Sequence, residues 1–340
     1  WIQQGLLLDL TPYFERDKAE LMVEDFIPQS LELTSLNGFR YAMAYCLPVP
    51  SALVVVNNDL FDALGLELPF EEWDWDDLRS LASKITRDAD GDGATDTWAI
   101  NLAEMRGWRE VLHQAIISTG DWYFQNGDTE INLRTEGALR AMDWAYSLVE
   151  GGYVPLSGGN WTRTGMRKGM SWGFLVRGYY EGWWRGTRVS VVQTPKDPVT
   201  GQRGYEAGIM QLGFGISAHC KHPEAAWEFV KFATGPDGWA KAGYETGNLF
   251  FLPARQSLIM DYFVHSAQML PAPVDPLAEA RAGEYLQANV LASPNPNLMV
   301  SWAEIEKVLA SEWTRVVQGI QGVEVFVERV TPLVNQILQQ

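Results

Sequence analysis

This sequence has few cysteines, and it has no long apolar runs and no repeats. Only two of its 340 residues are cysteines, Cys46 and Cys220, which are too few for a disulfide framework and lack the spacing of metal ligands. A single bridge between them is left open. No run of about 18 or more apolar residues occurs, and no segment of about 20–50 residues repeats. The sequence therefore predicts neither a disulfide-stapled domain, nor a transmembrane helix, nor a solenoid.

Basic residues are scarce as well. Lysine and arginine total 26 against 43 aspartates and glutamates, which gives a formal net charge of −17. A surface that binds nucleic acid needs lysine and arginine to neutralise phosphates. We therefore expect no nucleic-acid partner, although acidity alone does not identify a different one.

Catalytic motifs are also missing. The sequence contains no G-x-S-x-G nucleophile elbow and no acid/base motif among its many carboxylates. We therefore expect that the protein is not an enzyme. A glycoside hydrolase, which needs two carboxylates on either side of one bond, stays open as a lesser alternative.

Aromatic residues, by contrast, are abundant: 15 Trp, 12 Tyr and 14 Phe. Four of them lie within six residues of the segment RGYYEGWWRG, namely Tyr179, Tyr180, Trp183 and Trp184. Their spacing fits neither the period of a strand nor that of a helix, and three interleaved glycines favour a loop. Such a loop either packs its rings inward or presents them to a ligand.

Helix signals alternate along the chain with short β-branched runs. Caps and apolar residues at helical spacing predict helices that begin at Thr135–Glu136, Pro223, Ser301 and Val323. Ser301 is followed three residues later by a glutamate, which is a capping-box pattern. In the helix from Pro223, Phe229 is expected to share an apolar face with Val230. Residues 52–58 and 188–194 are typical of strands, so the alternation predicts an α/β fold.

Six segments carry a resemblance to a known family. They are GLLLDLTPYF, NGFRYAMAYCLPVPSALVVVNNDLFDALGL, EEWDWDDLRSLASKIT, RKGMSWGFLVRGYYEGWW, ISAHCKHPEAAWEFVKFATGPDG and GNLFFLPARQS. Each is a weak signal alone, but their order and spacing are specific and extend over almost the whole chain. Together they resemble the extracellular solute-binding proteins of ABC importers, the family that contains maltose-binding protein.

The resemblance implies a two-lobed, periplasmic-binding-protein-like α/β fold of type II. Each lobe is expected to hold a mixed sheet flanked by helices, with the ligand in the cleft between the lobes. By the same analogy, residues 1–50 and 208–254 form lobe one, and residues 51–207 and 255–340 form lobe two. The lobes are expected to open and close about the points where the chain crosses between them. These crossings are expected near Val49–Ala52, Tyr205–Gly208 and Phe251–Ala254.

Members of this family begin with a signal segment and a strand–helix–strand unit, which precede the part that matches Gly5–Leu10. Neither is present in this sequence, so lobe one is expected to be incomplete at its N-terminus. The resemblance implies a location outside the cytoplasm, either free in a periplasm or attached to the cell surface by a lipid.

In sugar-binding members, the segment similar to RGYYEGWWRG carries an aromatic ligand contact. A pyranose ring presents a face of C–H groups that stacks on an aromatic plane. We expect Tyr180 and Trp183 to face the ligand, with Tyr179 and Trp184 as further candidates. The alternative is that two of the four rings pack beneath the loop.

Further candidates are expected to line the same cleft. Trp302, in the first turn of its predicted helix, matches a cleft-lining ring of the family, and its alternative is a hydrophobic staple. Glu104, Arg106 and Trp108 belong to another segment similar to a cleft-lining one, where Glu and Arg would bind hydroxyls through charge-assisted hydrogen bonds. A solvated helix start is the alternative for these three. Tyr45, close to the first crossing, is a weaker candidate.

Four aspartates show EF-hand-like spacing. Asp88, Asp90, Asp92 and Asp96 occupy positions 1, 3, 5 and 9 of such a loop, but Ala99 stands where the loop has its glutamate. Carboxylates that face one point repel each other unless a cation lies among them. We expect either a structural calcium ion, the only cofactor that the sequence suggests, or an Asp/Gly-rich turn without metal.

The sequence thus predicts a monomeric, extracytoplasmic solute-binding protein that delivers a sugar or oligosaccharide to the membrane subunits of an ABC permease. One alternative keeps the fold and changes the solute to a polyamine, a phosphodiester or a peptide. Acidic groups such as Glu104 and Glu181 at the cleft would favour a cation. The remaining alternatives are the glycoside hydrolase and a structural or adhesive surface domain without a ligand cleft.

Overall fold

A computed structural model describes most of the chain. The described residues are 1–2, 4–32, 34–47, 53–68, 72–100, 111–127, 129–155, 167–172, 187–204, 212–244, 252–269 and 298–339. Within them the helices are α1 (Thr11–Arg16), α2 (Pro28–Glu32), α3 (Asn58–Leu64), α4 (Trp75–Ile85), α5 (His113–Ser118), α6 (Glu136–Glu150), α7 (Pro223–Thr234), α8 (Pro236–Trp239), α9 (Gln256–Met269), α10 (Leu298–Val317) and α11 (Val323–Leu338). The strands are β1 (Ser35–Leu36), β2 (Phe39–Arg40), β3 (Ala42–Leu47), β4 (Leu53–Asn57), β5 (Thr97–Ile100), β6 (Phe124–Gln125), β7 (Glu130–Ile131), β8 (Arg167–Trp172), β9 (Val189–Gln193), β10 (Leu212–Gly215) and β11 (Leu252–Pro253).

The first sheet has β3 at its centre, with β10 on one side and β11 on the other. Cys46 in β3 pairs with Leu212 of β10 and with Pro253 of β11, and both pairings are antiparallel. Helix α7 packs on this sheet. Apolar side chains of this sheet, of α7 and of the N-terminal part of the chain form the first core: Leu10, Phe14, Leu21, Phe26, Met43, Ala44, Ile216, Trp227, Val230 and Ala254.

The second sheet is mixed, with the order β5-β8-β4-β9. Strand β4 is antiparallel to both β8 and β9, whereas β5 runs parallel to β8. Helices α3 to α6, α10 and α11 contribute to the second core, whose largest side chains include Phe61, Trp75, Trp144, Trp302, Trp313 and Phe326. The two sheets and their separate cores are the described framework of the molecule.

Two chain crossings connect these sheets through neighbouring strands. The chain leaves β3 and next forms β4, and later it leaves β9 and next forms β10. Because β3 pairs with β10 and β4 pairs with β9, both connections begin and end side by side. Val49–Ala52 and Tyr205–Gly208 lie outside the described residues. The predicted limits of the two lobes stay a prediction.

The sequence signals located several helices and strands correctly. Helix α6 is capped by the Thr135 hydroxyl, which accepts the Ala138 N–H at 3.2 Å. Helices α7 and α11 begin where their caps predicted, and strands β4 and β9 lie within the two predicted runs. The predicted start of α10 is wrong, because the helix begins at Leu298 and includes Ser301 in its interior.

The apolar face of α7 differs from the expected one. Trp227 and Val230 are buried in the first core, whereas Phe229 is 57% exposed. The indole N–H of Trp227 donates to the Asp17 carboxylate at 2.7 Å, and its ring lies against Tyr13. This polar and aromatic contact turns the Trp227 side of the helix inward.

Both cysteines are free thiols, so the bridge that the sequence left open does not form in this structure. Burial raises the pKa of Cys46 to about 12. Among the described helices, none combines the length and the apolar character that crossing a bilayer requires.

Arg255, just before α9, is an almost fully buried cation in the first core. Its guanidinium donates to the Asp25 carboxylate at 3.2 Å and to the carbonyl oxygens of Leu21 at 3.0 Å and Thr234 at 2.7 Å. It also lies 4.0 Å from the centroid of the Phe26 ring. These contacts fasten the start of α9 to the first core, although the predicted boundary assigns residue 255 to lobe two.

Replacing Arg255 by methionine should lower the free energy of unfolding by about 3 kcal/mol, because Asp25 loses its buried partner and two carbonyl groups lose a donor. Urea denaturation would measure the loss. The matched control is Arg79→Met, which breaks an exposed pair with Asp76 and should cost less than about 0.5 kcal/mol. Equal losses in the two variants would contradict the role given to Arg255.

Asp17 should make the stability of the folded protein depend on pH. The guanidinium of Arg16 and the indole N–H of Trp227 bond to its carboxylate and hold its pKa well below the usual range. A lowered pKa contributes stability above the pKa of an unfolded aspartate, about 3.9, and this contribution is lost as the pH falls through the folded-state value. Asp17→Asn should therefore lose stability less steeply than the wild type below about pH 4. Denaturation of both proteins at a series of pH values measures this difference. Equal slopes of stability against pH in the two proteins would overturn the expectation.

Candidate functional site

Most of the ligand contacts predicted from the sequence lie outside the described residues. They are Tyr179, Tyr180, Trp183, Trp184, Glu104, Arg106 and Trp108. Their roles therefore stay predictions. Of the predicted contacts, Trp302 and Tyr45 are the two that the structure describes.

Trp302 lies in the second core, in the second turn of α10 and not in the first as predicted. The residue is 3% exposed, and its ring meets the Phe124 ring edge-on at a centroid separation of 6.1 Å. No acceptor in the described part of the chain reaches its buried Nε1. Burial favours the interpretation of Trp302 as a core residue, and a contact with ligand stays a prediction.

Tyr45 belongs to an aromatic row on the first sheet, made of Phe229, Phe214, Tyr45 and Trp239. The ring centroids are separated by 5.8 Å from Phe229 to Phe214, 5.3 Å from Phe214 to Tyr45, and 4.8 Å from Tyr45 to Trp239. The row runs from an exposed ring on α7, across β10 and β3, to a buried ring at the end of α8.

The aromatic row lies near the end of β3, where the first crossing starts, and near the start of β10, where the second crossing ends. Tyr45 precedes Cys46, the residue that pairs with both outer strands, and the Tyr45 carbonyl accepts the Ala254 N–H at 3.4 Å. Tyr45 is half-buried, and burial raises the pKa of its hydroxyl. The Trp239 Nε1 is buried with no acceptor among the described residues. The row thus combines ring faces, which suit C–H groups, with polar tips that suit hydroxyls.

Sequence analysis missed Phe214 and Trp239. The segment LGFG contains a signal for Phe214. This residue stands alone between two glycines of the strand, Gly213 and Gly215, which have no side chains. Trp239 follows Gly235–Pro236, a helix stop and restart that brings a new helix back toward the sheet. Its proximity to Tyr45 depends on tertiary packing and has no local signal.

The aspartate loop brings three of its four predicted ligands together. One carboxylate oxygen each from Asp88, Asp90 and Asp96 lies within 4.8 Å of the others, whereas Asp92 is outside this group. These oxygens could take part in holding a cation, since hard cations such as Ca²⁺ prefer oxygen ligands.

The same carboxylates also bond to the backbone of their own loop. Asp88 accepts the N–H groups of Gly93 at 2.8 Å and Gly91 at 2.7 Å, which lowers its pKa. Asp96 accepts the Ala89 N–H at 2.7 Å. These bonds are what an Asp/Gly-rich turn without metal also requires, so calcium stays a prediction.

A known protein family matches most of the chain. Residues 1–238 match the family described as "Bacterial extracellular solute-binding protein". A search of curated protein sequences finds no match.

Solved structures similar in fold include three bacterial binding proteins. An ABC substrate-binding protein from Listeria monocytogenes, in complex with cycloalternan, has a TM-score of 0.77 at 21% identity, over 99% of this chain and 81% of its own. The cyclic alpha-maltosyl-1,6-maltose binding protein of Arthrobacter globiformis has a TM-score of 0.73 at 17% identity, over 98% and 80%. The sugar-binding protein MalE of Xanthomonas citri has a TM-score of 0.68 at 17% identity, over 100% and 80%.

These matches define the class of fold, which is that of a two-lobed periplasmic binding protein of type II. The chain belongs to the bacterial extracellular solute-binding protein family. It is therefore a solute-binding protein of the ABC transporter class, and its family is one of binding proteins that act outside the cytoplasm.

The calcium prediction can be tested by thermal unfolding with CaCl₂ and with a chelator. If the three carboxylates hold the ion, saturating calcium should raise the melting temperature, because a ligand at about 100 times its Kd adds about 2.7 kcal/mol to the stability. Asp88→Asn should abolish the response. Asp92→Asn is the matched control and should retain it, because Asp92 lies outside the three-oxygen group. An unchanged melting temperature in the wild type would reject calcium in favour of the metal-free turn.

Proposed function

We propose that this protein binds a sugar or an oligosaccharide in the cleft between its lobes. The observation that carries the proposal is the aromatic row beside the two crossings, where the half-buried rings of Tyr45 and Phe214 lie together. Similar structures that hold cycloalternan, maltose, alpha-D-tagatose or D-mannitol support the same class of ligand.

The chemistry of the row suits a pyranose. The half-buried rings of Tyr45 and Phe214 offer apolar area at little entropic cost, and the Tyr45 hydroxyl can exchange a hydrogen bond with a sugar hydroxyl. The predicted contacts Tyr180 and Trp183 would approach from the other lobe. Closing the lobes would remove the sugar from water and strengthen each hydrogen bond.

We further propose that the protein acts as a monomer and hands its ligand to the membrane subunits of an ABC permease. Family membership supports this role, because such proteins are the solute-binding components of ABC systems. The protein would work either free in a periplasm or attached to the cell surface by a lipid.

Intrinsic tryptophan fluorescence and thermal unfolding with maltose, cycloalternan and D-mannitol test the sugar assignment. A saturating sugar should change the fluorescence and raise the melting temperature. Trp183→Ala should weaken binding about tenfold to a hundredfold, because a stacked ring at the centre of a site carries much of the affinity. The matched control is Trp1→Ala, which removes an 80% exposed ring outside the predicted site and should leave binding unchanged.

Adding spermidine and an aryl glycoside to the panel tests the rival ligand and the rival activity. A response to spermidine but to no sugar would replace the sugar by a cation. Hydrolysis of an aryl glycoside by the pure protein would support the glycoside hydrolase. Equal loss of affinity in Trp183→Ala and Trp1→Ala would contradict the site.

A further inference from the structure

The segment of residues 194–204, which follows β9, is held tightly against the helices of the second core. The Thr200 hydroxyl donates to the Ser118 carbonyl at 2.7 Å, and Arg140 pairs with the buried Asp197 at 2.7 Å. Gly204 lies so close to α5 that an added Cβ would come within 1.8 Å of the Gln114 carbonyl oxygen. Only glycine fits there, and the segment therefore has a fixed position on α5.

A small cavity remains between α5 and this segment. Gln114 and Ser118 line it from α5, and Thr194 lines it from the segment, while Trp75 and Trp144 form an aromatic wall. The two indoles stack at a centroid separation of 4.9 Å. The cavity volume is about 10 Å³, which is about the space that the centre of one ordered water molecule needs.

Two residues that line this cavity each carry a side-chain oxygen that lacks a partner in the described part of the chain. These oxygens are Oε1 of Gln114, a residue that is 5% exposed, and Oγ1 of Thr194, a residue that is 3% exposed. Buried side-chain oxygens in proteins almost always have a hydrogen-bond partner, either a protein group or an ordered water. Both atoms belong to residues that line the same space, so one molecule can serve both.

We propose that this cavity is a binding site for one structural water molecule. The water would donate one hydrogen to Gln114 Oε1 and accept the hydroxyl hydrogen of Thr194. Its second hydrogen would go to Ser118 Oγ, whose own hydrogen is used on the Ala115 carbonyl at 2.7 Å. Three hydrogen bonds are the usual number for a buried water. The water is thus a polar link between α5 and the segment that leads to the second predicted crossing.

A crystal structure that resolves ordered water tests the site directly. In the wild type we expect one peak within about 2.7–3.2 Å of both oxygen atoms. In the double variant Gln114→Leu/Thr194→Val, which keeps the shape and removes two of the three polar partners, the peak should be absent. A cavity without density in the wild type, or a direct bond between Gln114 and Thr194, would overturn the proposal.

Oxygen-17 magnetic relaxation dispersion provides a measurement in solution. The number of long-lived internal waters should fall by one in the double variant, and also in Thr194→Val if the double variant fails to fold. Thr234→Val is the matched control, because its hydroxyl bonds to the Val230 carbonyl in the first core, and it should leave the number unchanged. An equal number of long-lived waters in wild type and Thr194→Val would also contradict the site.

Discussion

The pairing of β3 with β10 and of β4 with β9 is the constraint on which the rest of the structure depends. The chain passes from the first sheet to the second after β3 and returns after β9. Because the strands on each side are hydrogen-bonded neighbours, the two connections are adjacent at both ends. Two packed cores that are joined through adjacent strands can move relative to each other without unpairing either sheet.

Caps and β-branched runs were sufficient to predict much of the fold, because their chemistry is local. Thr135 caps α6 and Pro223 starts α7 for reasons contained within a few residues. The inward face of α7 could not be predicted, because apolar residues occur around the whole helix. The contact of Trp227 with Asp17, 210 residues away in the sequence, decides which side is buried. At Ser301 a real capping-box pattern occurs inside a longer helix, so a local signal was overruled by residues before it.

The candidate site was harder to predict, since residue type does not separate a binding ring from a core ring. Seven described tryptophans are buried: Trp73, Trp75, Trp144, Trp227, Trp239, Trp302 and Trp313. The abundant tryptophans therefore largely serve packing in the described part of the chain. Tyr45 was a weak candidate by sequence, yet its position on β3 makes it the centre of the aromatic row. That position follows from strand order, which no local pattern contains.

The aromatic row and the crossings are mechanically connected through β3. Tyr45 and Cys46 are consecutive residues of this strand, and Cys46 pairs with β10 and β11 at once. A movement at the crossings that keeps the sheet intact must carry Phe214 and Tyr45 together as one rigid surface. The ring faces would therefore meet a ligand already in register, with little side-chain entropy left to lose on binding.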